Sequence, residues 1–291
     1  YHTEQDRQEY NSGLFWHTDH YLDGRHCTHR THSRQHMSID HVEQAGGGPG
    51  NEHCYSTGLA YQYYLTGDEK YKDALLKLTG WITYLMEGGD TVLEKVKQML
   101  IRDIRQMKMT KNGNKIPDYK YPLSRATGNY LNTLLDAYVV SNDNSYLNRA
   151  GKVIRNTINP KDDISLRHIE EVELNWSYTI LLQSVAKYLH SKLINKQLDD
   201  DFVFAYQSFF HYLDWMQENE GFYLDKPEIL VYPNSTWPAQ DVRKAHLFFV
   251  AFLFTKETKY EEAGNRYLEY VVQYLSQNNV LKSTRILAIL M

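Results

Sequence analysis

Residues 125–140 read RATGNYLNTLLDAYVV. They are followed by Ser141-Asn142-Asp143 and then by Asn144-Ser145-Tyr146-Leu147-Asn148-Arg149-Ala150, running on to Ile158. On both sides of the polar break, apolar residues recur every three or four positions, the spacing that puts them on one face of a helix. The break supplies short polar side chains that end one helix and cap the next. The stretch is therefore expected to fold as a helix–turn–helix pair, Arg125–Val140 with Tyr146–Ile158.

The same layout recurs outward from this pair. Tyr55–Leu65, the break Thr66-Gly67-Asp68 and Glu69–Met86 make a pair before it. Val172–Leu193 with Phe202–Glu218 makes one after it. Gln240–Phe254, the break Thr255-Lys256-Glu257 and Tyr260–Ser276 make the last. Thr91–Met107 reads as one more amphipathic helix, and Asp199-Asp200-Asp201 as part of a polar linker. Three helix starts share a local signature: Glu69-Lys70-Tyr71-Lys72-Asp73-Ala74, Asn144-Ser145-Tyr146-Leu147-Asn148-Arg149-Ala150 and Thr258-Lys259-Tyr260-Glu261-Glu262-Ala263. In each, Tyr and Ala are expected on the buried face. This is a degenerate internal repeat of antiparallel helical hairpins. Strand-like alternation is confined to Phe222–Tyr232, which reads as a short hairpin or an extended loop. The fold class is all-α.

A chain of 291 residues has room for one large domain or two small ones. The texture divides it into residues 1–50, polar and without sustained helical period, and residues 51–291, the helical hairpins. The net charge of −4, from 32 basic and 36 acidic side chains, argues against a general nucleic-acid binder, which needs a basic surface. Cys27 and Cys54 are too few to build a disulfide scaffold. The longest apolar run, Ala245–Phe254, is interrupted by His246 and is half of what a membrane span requires, so no membrane insertion is expected. The chain starts at Tyr1, and Leu281–Met291 reads as an amphipathic helix cut short. Both suggest a fragment or processed product, and the absence of a signal pattern is therefore uninformative about localisation.

Histidine occurs 13 times, nine of them in the first 53 residues. His17-Thr18-Asp19-His20-Tyr21 is followed by Arg25-His26, His29-Arg30, His32, Arg34 and His36. Three readings stay open. The segment is a solvated polar loop; or it presents imidazoles, which move protons near neutrality, and guanidiniums, which grip carboxylates, to an anion; or His17, Asp19, His20, His26 and His29 hold a divalent metal such as Zn or Ca, since both His-x-x-His spacings suit ligation. The second candidate is Gly46-Gly47-Gly48-Pro49-Gly50-Asn51-Glu52-His53-Cys54-Tyr55, where a close-approach loop delivers a helix start with Asn51 as its N-cap. The third, Tyr232–His246, places Trp237, Gln240, Asp241, Arg243 and Lys244 between a proline-bounded loop and a helix. Arg125, Asn175 and Trp176 occupy comparable positions at the start of earlier hairpins. Each of these also reads as an ordinary capped helix start with packing aromatics. A nucleophilic serine elbow is absent.

The hairpins, with their Thr-Gly-Asp-x-x-Tyr turns, resemble the (α/α) toroid of carbohydrate-active enzymes, a group that includes polysaccharide lyases and six-hairpin glycosidases. The resemblance covers Asn51 to the C-terminus. Terpene cyclases share the toroid but use an Asp-Asp-x-x-Asp diphosphate site that this chain lacks. Four visible hairpins imply an open or incomplete ring. What the resemblance implies is an enzyme acting on an acidic, uronate-containing polysaccharide by β-elimination. Asn51 with Arg25 or Arg30 would neutralise the carboxylate, His53 or His36 would take the proton, and Tyr55 or Tyr21 would protonate the leaving oxygen. Trp237, Gln240, Asp241, Arg243, Arg125, Asn175 and Trp176 would bind sugar at the cavity rim. Such a substrate favours a periplasmic or extracellular setting. One alternative is a glycoside hydrolase using carboxyl pairs drawn from Glu52, Asp19 and Asp241. The other is a non-catalytic helical scaffold, stabilised by a metal.

Overall fold

The computed structural model describes residues 16–17, 48–49, 54–88, 91–93, 96, 100, 119–230, 233 and 237–277. The chain divides into two compact units. The first comprises Tyr1–Met107 and Asn129–Arg149, the second Lys108–Gly128 and Ala150–Met291.

The described residues are overwhelmingly helical. In chain order the helices are α1 (Thr57–Thr66), α2 (Glu69–Glu87), α3 (Arg125–Ser141), α4 (Asn144–Arg155), the single turn α5 (Val172–Asn175), α6 (Tyr178–Ile194), α7 (Asp200–Asn219), α8 (Trp237–Thr255) and α9 (Thr258–Gln277). Two two-residue strands, β1 (Trp16–His17) and β2 (Gly48–Pro49), pair antiparallel, His17 opposite Gly48. Of the short hairpin or extended loop expected over Phe222–Tyr232, the described residues form no hairpin but a loop with two 3-10 turns, Tyr223–Asp225 and Pro227–Ile229. Pro227 has no N–H for a ladder, which disfavours a strand there. Asp199-Asp200-Asp201 is not a linker. Asp199 caps α7, accepting from the Phe202 N–H at 3.0 Å, and the next two acids fill the first turn, where the helix dipole favours negative charge.

The repeat is visible atom by atom in three two-residue links. The last residue of α1, α3 and α8 is Thr66, Ser141 and Thr255. Each hydroxyl donates to the carbonyl four residues back, at 2.7, 2.6 and 3.0 Å, and accepts from the N–H two residues on, at 3.2, 3.2 and 3.1 Å. The next residue, Gly67, Asn142 or Lys256, adopts the left-handed conformation with φ of 66°, 55° and 62°. Its N–H returns to the carbonyl of Tyr63, Tyr138 or Phe252. This αL closure satisfies a terminal carbonyl and turns the chain at once into the next helix. Asp68 and Asp143 then accept from Lys70 N–H and Ser145 N–H at 3.0 and 2.8 Å.

The expected inward Tyr and Ala hold fully only at the third repeat, where Tyr260 and Ala263 are buried. At the first, Ala74 is exposed, and α2 buries Leu75, Leu78 and Ile82 instead. In the first unit, Ala60, Leu75, Ala137 and Val140 form a core that Tyr63, Leu76 and Tyr146 extend. In the second, α6 buries residues all the way round, including Tyr178, Leu181, Leu182, Val185, Tyr188 and Leu189, so it lies in the interior. Ala239 and Val242, early in α8, meet Val271, late in α9, so these two helices run antiparallel. Among the described residues, no helix is long and apolar enough to cross a membrane.

Candidate functional site

Within the second unit, the starts of α3, α6 and α8 come together. The cause is local. Gly128 lies so close to α6 that a Cβ there would stand 2.8 Å from the Leu181 nitrogen, and Ser184 Oγ donates to the Gly128 carbonyl at 2.8 Å. A side chain at 128 would force the helices apart. Their alignment brings the Arg125 guanidinium to 5.5 Å from the centre of the Trp176 ring, within cation–π range. Trp176 in turn meets Trp237 edge to face, centroids 6.4 Å apart. Trp176 is half-buried, whereas Trp237 is buried against Tyr223 and Leu230. Asn175 Nδ2 donates to the His168 carbonyl at 2.7 Å, fixing the turn that presents Trp176.

A second group lies between α6 and α8, centred on Gln183. Its Oε1 accepts from the Arg243 guanidinium, and its Nε2 donates to His246 Nδ1 at 3.4 Å. Arg243 Nε also donates to Gln240 Oε1 at 2.9 Å. A guanidinium only donates, so the amide oxygen of Gln183 must face Arg243 and its NH₂ must face His246. His246 therefore carries its proton on Nε2 when neutral. Burial, reinforced by Arg243, holds its imidazole below the ordinary histidine range, which favours the neutral form. The second unit thus holds two half-buried groups, Arg125 with Trp176 and Arg243 with Gln183 and His246, which together offer one large aromatic, two guanidiniums and a neutral imidazole donor.

The second unit also holds a sealed charge cluster. Lys244 Nζ lies 2.8 Å from Glu220 Oε2 and 3.6 Å from Asp241 Oδ1, donates to the Gly221 carbonyl at 2.9 Å, and sits 3.6 Å above the Tyr223 ring centre. Lys244 is 1% exposed and Asp241 is 0% exposed. Burial pushes the Asp241 carboxyl up to about 7 against the opposing pull of Lys244. For Lys244 itself, burial pulls the other way, but Tyr223, Glu220 and Asp241 outweigh it and raise the ammonium. Asp241, expected at a substrate rim or in a hydrolytic carboxyl pair, is thus an interior residue that no sugar can reach. Trp237 and Gln240, 6% and 4% exposed, also serve the interior rather than the rim.

The other expected site residues divide as follows. Cys54 is buried, and burial pushes its thiol up to about 12, which makes it inert. Tyr55 is exposed. The helix expected from Asn51 starts at Thr57, because the Ser56 and Thr57 hydroxyls both bind Asp136. Asn51, Glu52 and His53 lie outside the described residues. So do Asp19, His20, Tyr21, Arg25, His26, His29, Arg30 and His36, while His17 is described in its backbone pairing alone. The Zn or Ca expectation rests on that set. Among the described residues no group of three or more His, Cys, Asp or Glu is placed to hold a metal.

Sequence reasoning did not single out Gln183, His246 or Glu220 as site residues, and Lys244 read as part of a solvated charge cluster. The available signal was His246 inside the apolar run of α8, with Lys244 directly before that run and three residues after Asp241. Compared with known proteins, the chain matches no family model, no curated protein and no solved structure.

Proposed function

We propose that this chain acts on an acidic saccharide, gripped in the second unit where α3, α6 and α8 begin, and that its reaction is β-elimination at a uronate. The observation that carries the reading is the Trp176 ring bearing the Arg125 guanidinium, in the same unit as the Arg243, Gln183 and His246 group between α6 and α8. An indole face accepts the apolar face of a pyranose. Guanidiniums pair with carboxylates through parallel hydrogen bonds. Withdrawing charge from that carboxylate is what makes the neighbouring C5 proton removable. His246, neutral and donating through Nε2–H, fits a hydrogen bond to a sugar oxygen. The common end of three first helices also fits an incomplete (α/α) toroid, whose cavity opens at that end.

The test is incubation of the full chain with a uronate polymer and, in parallel, a neutral glucan. A rise in the ultraviolet absorbance of an unsaturated uronate with the first and not the second is the expected result. Calorimetry should show binding that Trp176→Ala and Arg243→Gln each weaken at least tenfold, with far-ultraviolet circular dichroism unchanged. New reducing ends without that absorbance would mean hydrolysis. No binding of either polymer would overturn the reading.

A further inference from the structure

The Lys244 cluster holds two carboxyl groups and one ammonium; Lys244 and Asp241 are sealed from water and Glu220 is largely buried. Fully ionised, it would bury one uncompensated negative charge, which is costly where nothing solvates it. The hydrogen bonds show where the strain falls. Asp241 Oδ2 accepts from the Tyr223 N–H at 3.3 Å, but Asp241 Oδ1 is buried with no hydrogen-bond partner. Glu220 Oε1 accepts from Tyr178 at 2.6 Å; its Oε2 likewise has no partner in hydrogen-bond geometry, but it lies 2.8 Å from Lys244 Nζ, closer than Asp241 Oδ1 at 3.6 Å. The other groups around Asp241 bring no second cation into hydrogen-bonding reach. Among the described residues these are the Tyr223 and Tyr267 rings, both stacked on Lys244, and Tyr270 of α9, which Asp225 of the loop also faces; Arg266 lies over the Tyr267 ring at 5.0 Å. The same atoms hold residues 220–230 in place: Lys244 grips the Gly221 carbonyl and Asp241 the Tyr223 N–H, while Tyr223 and Leu230 pack on Trp237.

We infer that Glu220, Asp241 and Lys244 form a one-proton latch: a proton kept on Asp241 fastens residues 220–230 to the first turns of α8, and its loss loosens them. Opening hydrates Asp241 and returns it to an ordinary carboxyl near 4. The open state then releases a proton that the closed state keeps up to about pH 7. The sign follows: opening becomes easier as pH rises from about 4 to about 7, up to tenfold per unit, and levels off above that.

Amide hydrogen exchange of the full chain, each rate divided by its intrinsic base-catalysed rate, reads this directly and needs no sugar, so its outcome is separate from that of the saccharide reading. Protection of a peptide covering 221–230 should fall by up to a hundredfold between about pH 5 and about pH 7 and then plateau, while α6 keeps its protection. Asp241→Asn, which mimics the neutral acid, should flatten the profile. Glu220→Gln leaves Lys244 facing Asp241 alone, a balanced pair, and should also reduce the slope, so the test survives if the first variant does not fold. Constant protection across that range in the parent chain, or a parental slope in the variants, would overturn the latch.

Discussion

The Ser56 hydroxyl donates to Asp136 Oδ2 at 2.5 Å, across 80 residues of sequence. Thr57 Oγ1 reaches the same oxygen at 2.9 Å and Asn132 Nδ2 at 3.3 Å. One buried carboxylate thereby sets where α1 begins and ties it to α3. Asp136→Ala leaves the buried Ser56 hydroxyl only the longer contact to Thr133 Oγ1 at 3.3 Å and removes the acceptor of Thr57, a loss of about 1–3 kcal/mol. Thermal melting followed by circular dichroism should show a drop of several degrees. An unchanged melting temperature would mean the bond contributes nothing.

How much of this was legible beforehand differs between the links and the site. The breaks at Thr66, Ser141 and Thr255 were readable because their chemistry is local: a hydroxyl, a left-handed residue and an acid determine the turn within four positions. The inward Tyr–Ala pair was less so. Which face of α2 is buried depends on what packs against it, and there Leu75 and Leu78 prevail over Ala74. Arg125, Asn175 and Trp176 stand out in the sequence because they sit where helices begin, and helix starts carry recognisable polar residues. The burial of Lys244 and Asp241 is not legible in the sequence, because a charged pair three apart at a helix start looks alike on a wet face or a buried one. Only the arrival of Glu220, Tyr223 and Tyr267 from other elements decides between the two.

The left-handed residues offer a graded test of the repeat. Gly67 takes φ of 66° at no steric cost, whereas Lys256 takes 62° with a Cβ. Gly67→Ala should therefore destabilise the chain by about 1–2 kcal/mol, and Lys256→Gly should stabilise it by up to about 1 kcal/mol. Urea titrations of both variants check the opposite signs. Equal signs would refute the idea that the links share one backbone solution.

Acid sensitivity should come from Asp162. Burial alone would raise its carboxyl, but hydrogen bonds from Tyr119, Tyr212 and Arg167 win and hold it below the ordinary carboxylate range. Tyr212 and Arg167 donate at 2.7 and 2.9 Å, and the Arg167–Asp162 pair is buried on both sides. A depressed folded value contributes stability that is present above the unfolded carboxyl value, near 4, and lost as pH falls through the folded one. Urea midpoints measured from neutral pH downward should fall in that acid range, and the fall should shrink in Asp162→Asn, which itself costs several kcal/mol at neutral pH because Arg167 is left buried without its anion. If the variant keeps the parental acid profile, the network does not control it.

The last prediction concerns the proton on His246. Gln183 is locked with its oxygen toward Arg243, so its NH₂ occupies His246 Nδ1, and the imidazole proton belongs on Nε2. Nitrogen-15 spectra at neutral pH should show a pyridine-like Nδ1 and a pyrrole-like Nε2. Gln183→Leu removes both bonds at once: the tautomer preference should weaken. The histidine titration should shift little, because burial is the larger cause of its depressed value and Arg243, the smaller, stays in place. A pyrrole-like Nδ1 in the parent chain would show that the amide faces the other way, and the hydrogen bond offered to a sugar oxygen would then have to come from elsewhere on the α6–α8 face.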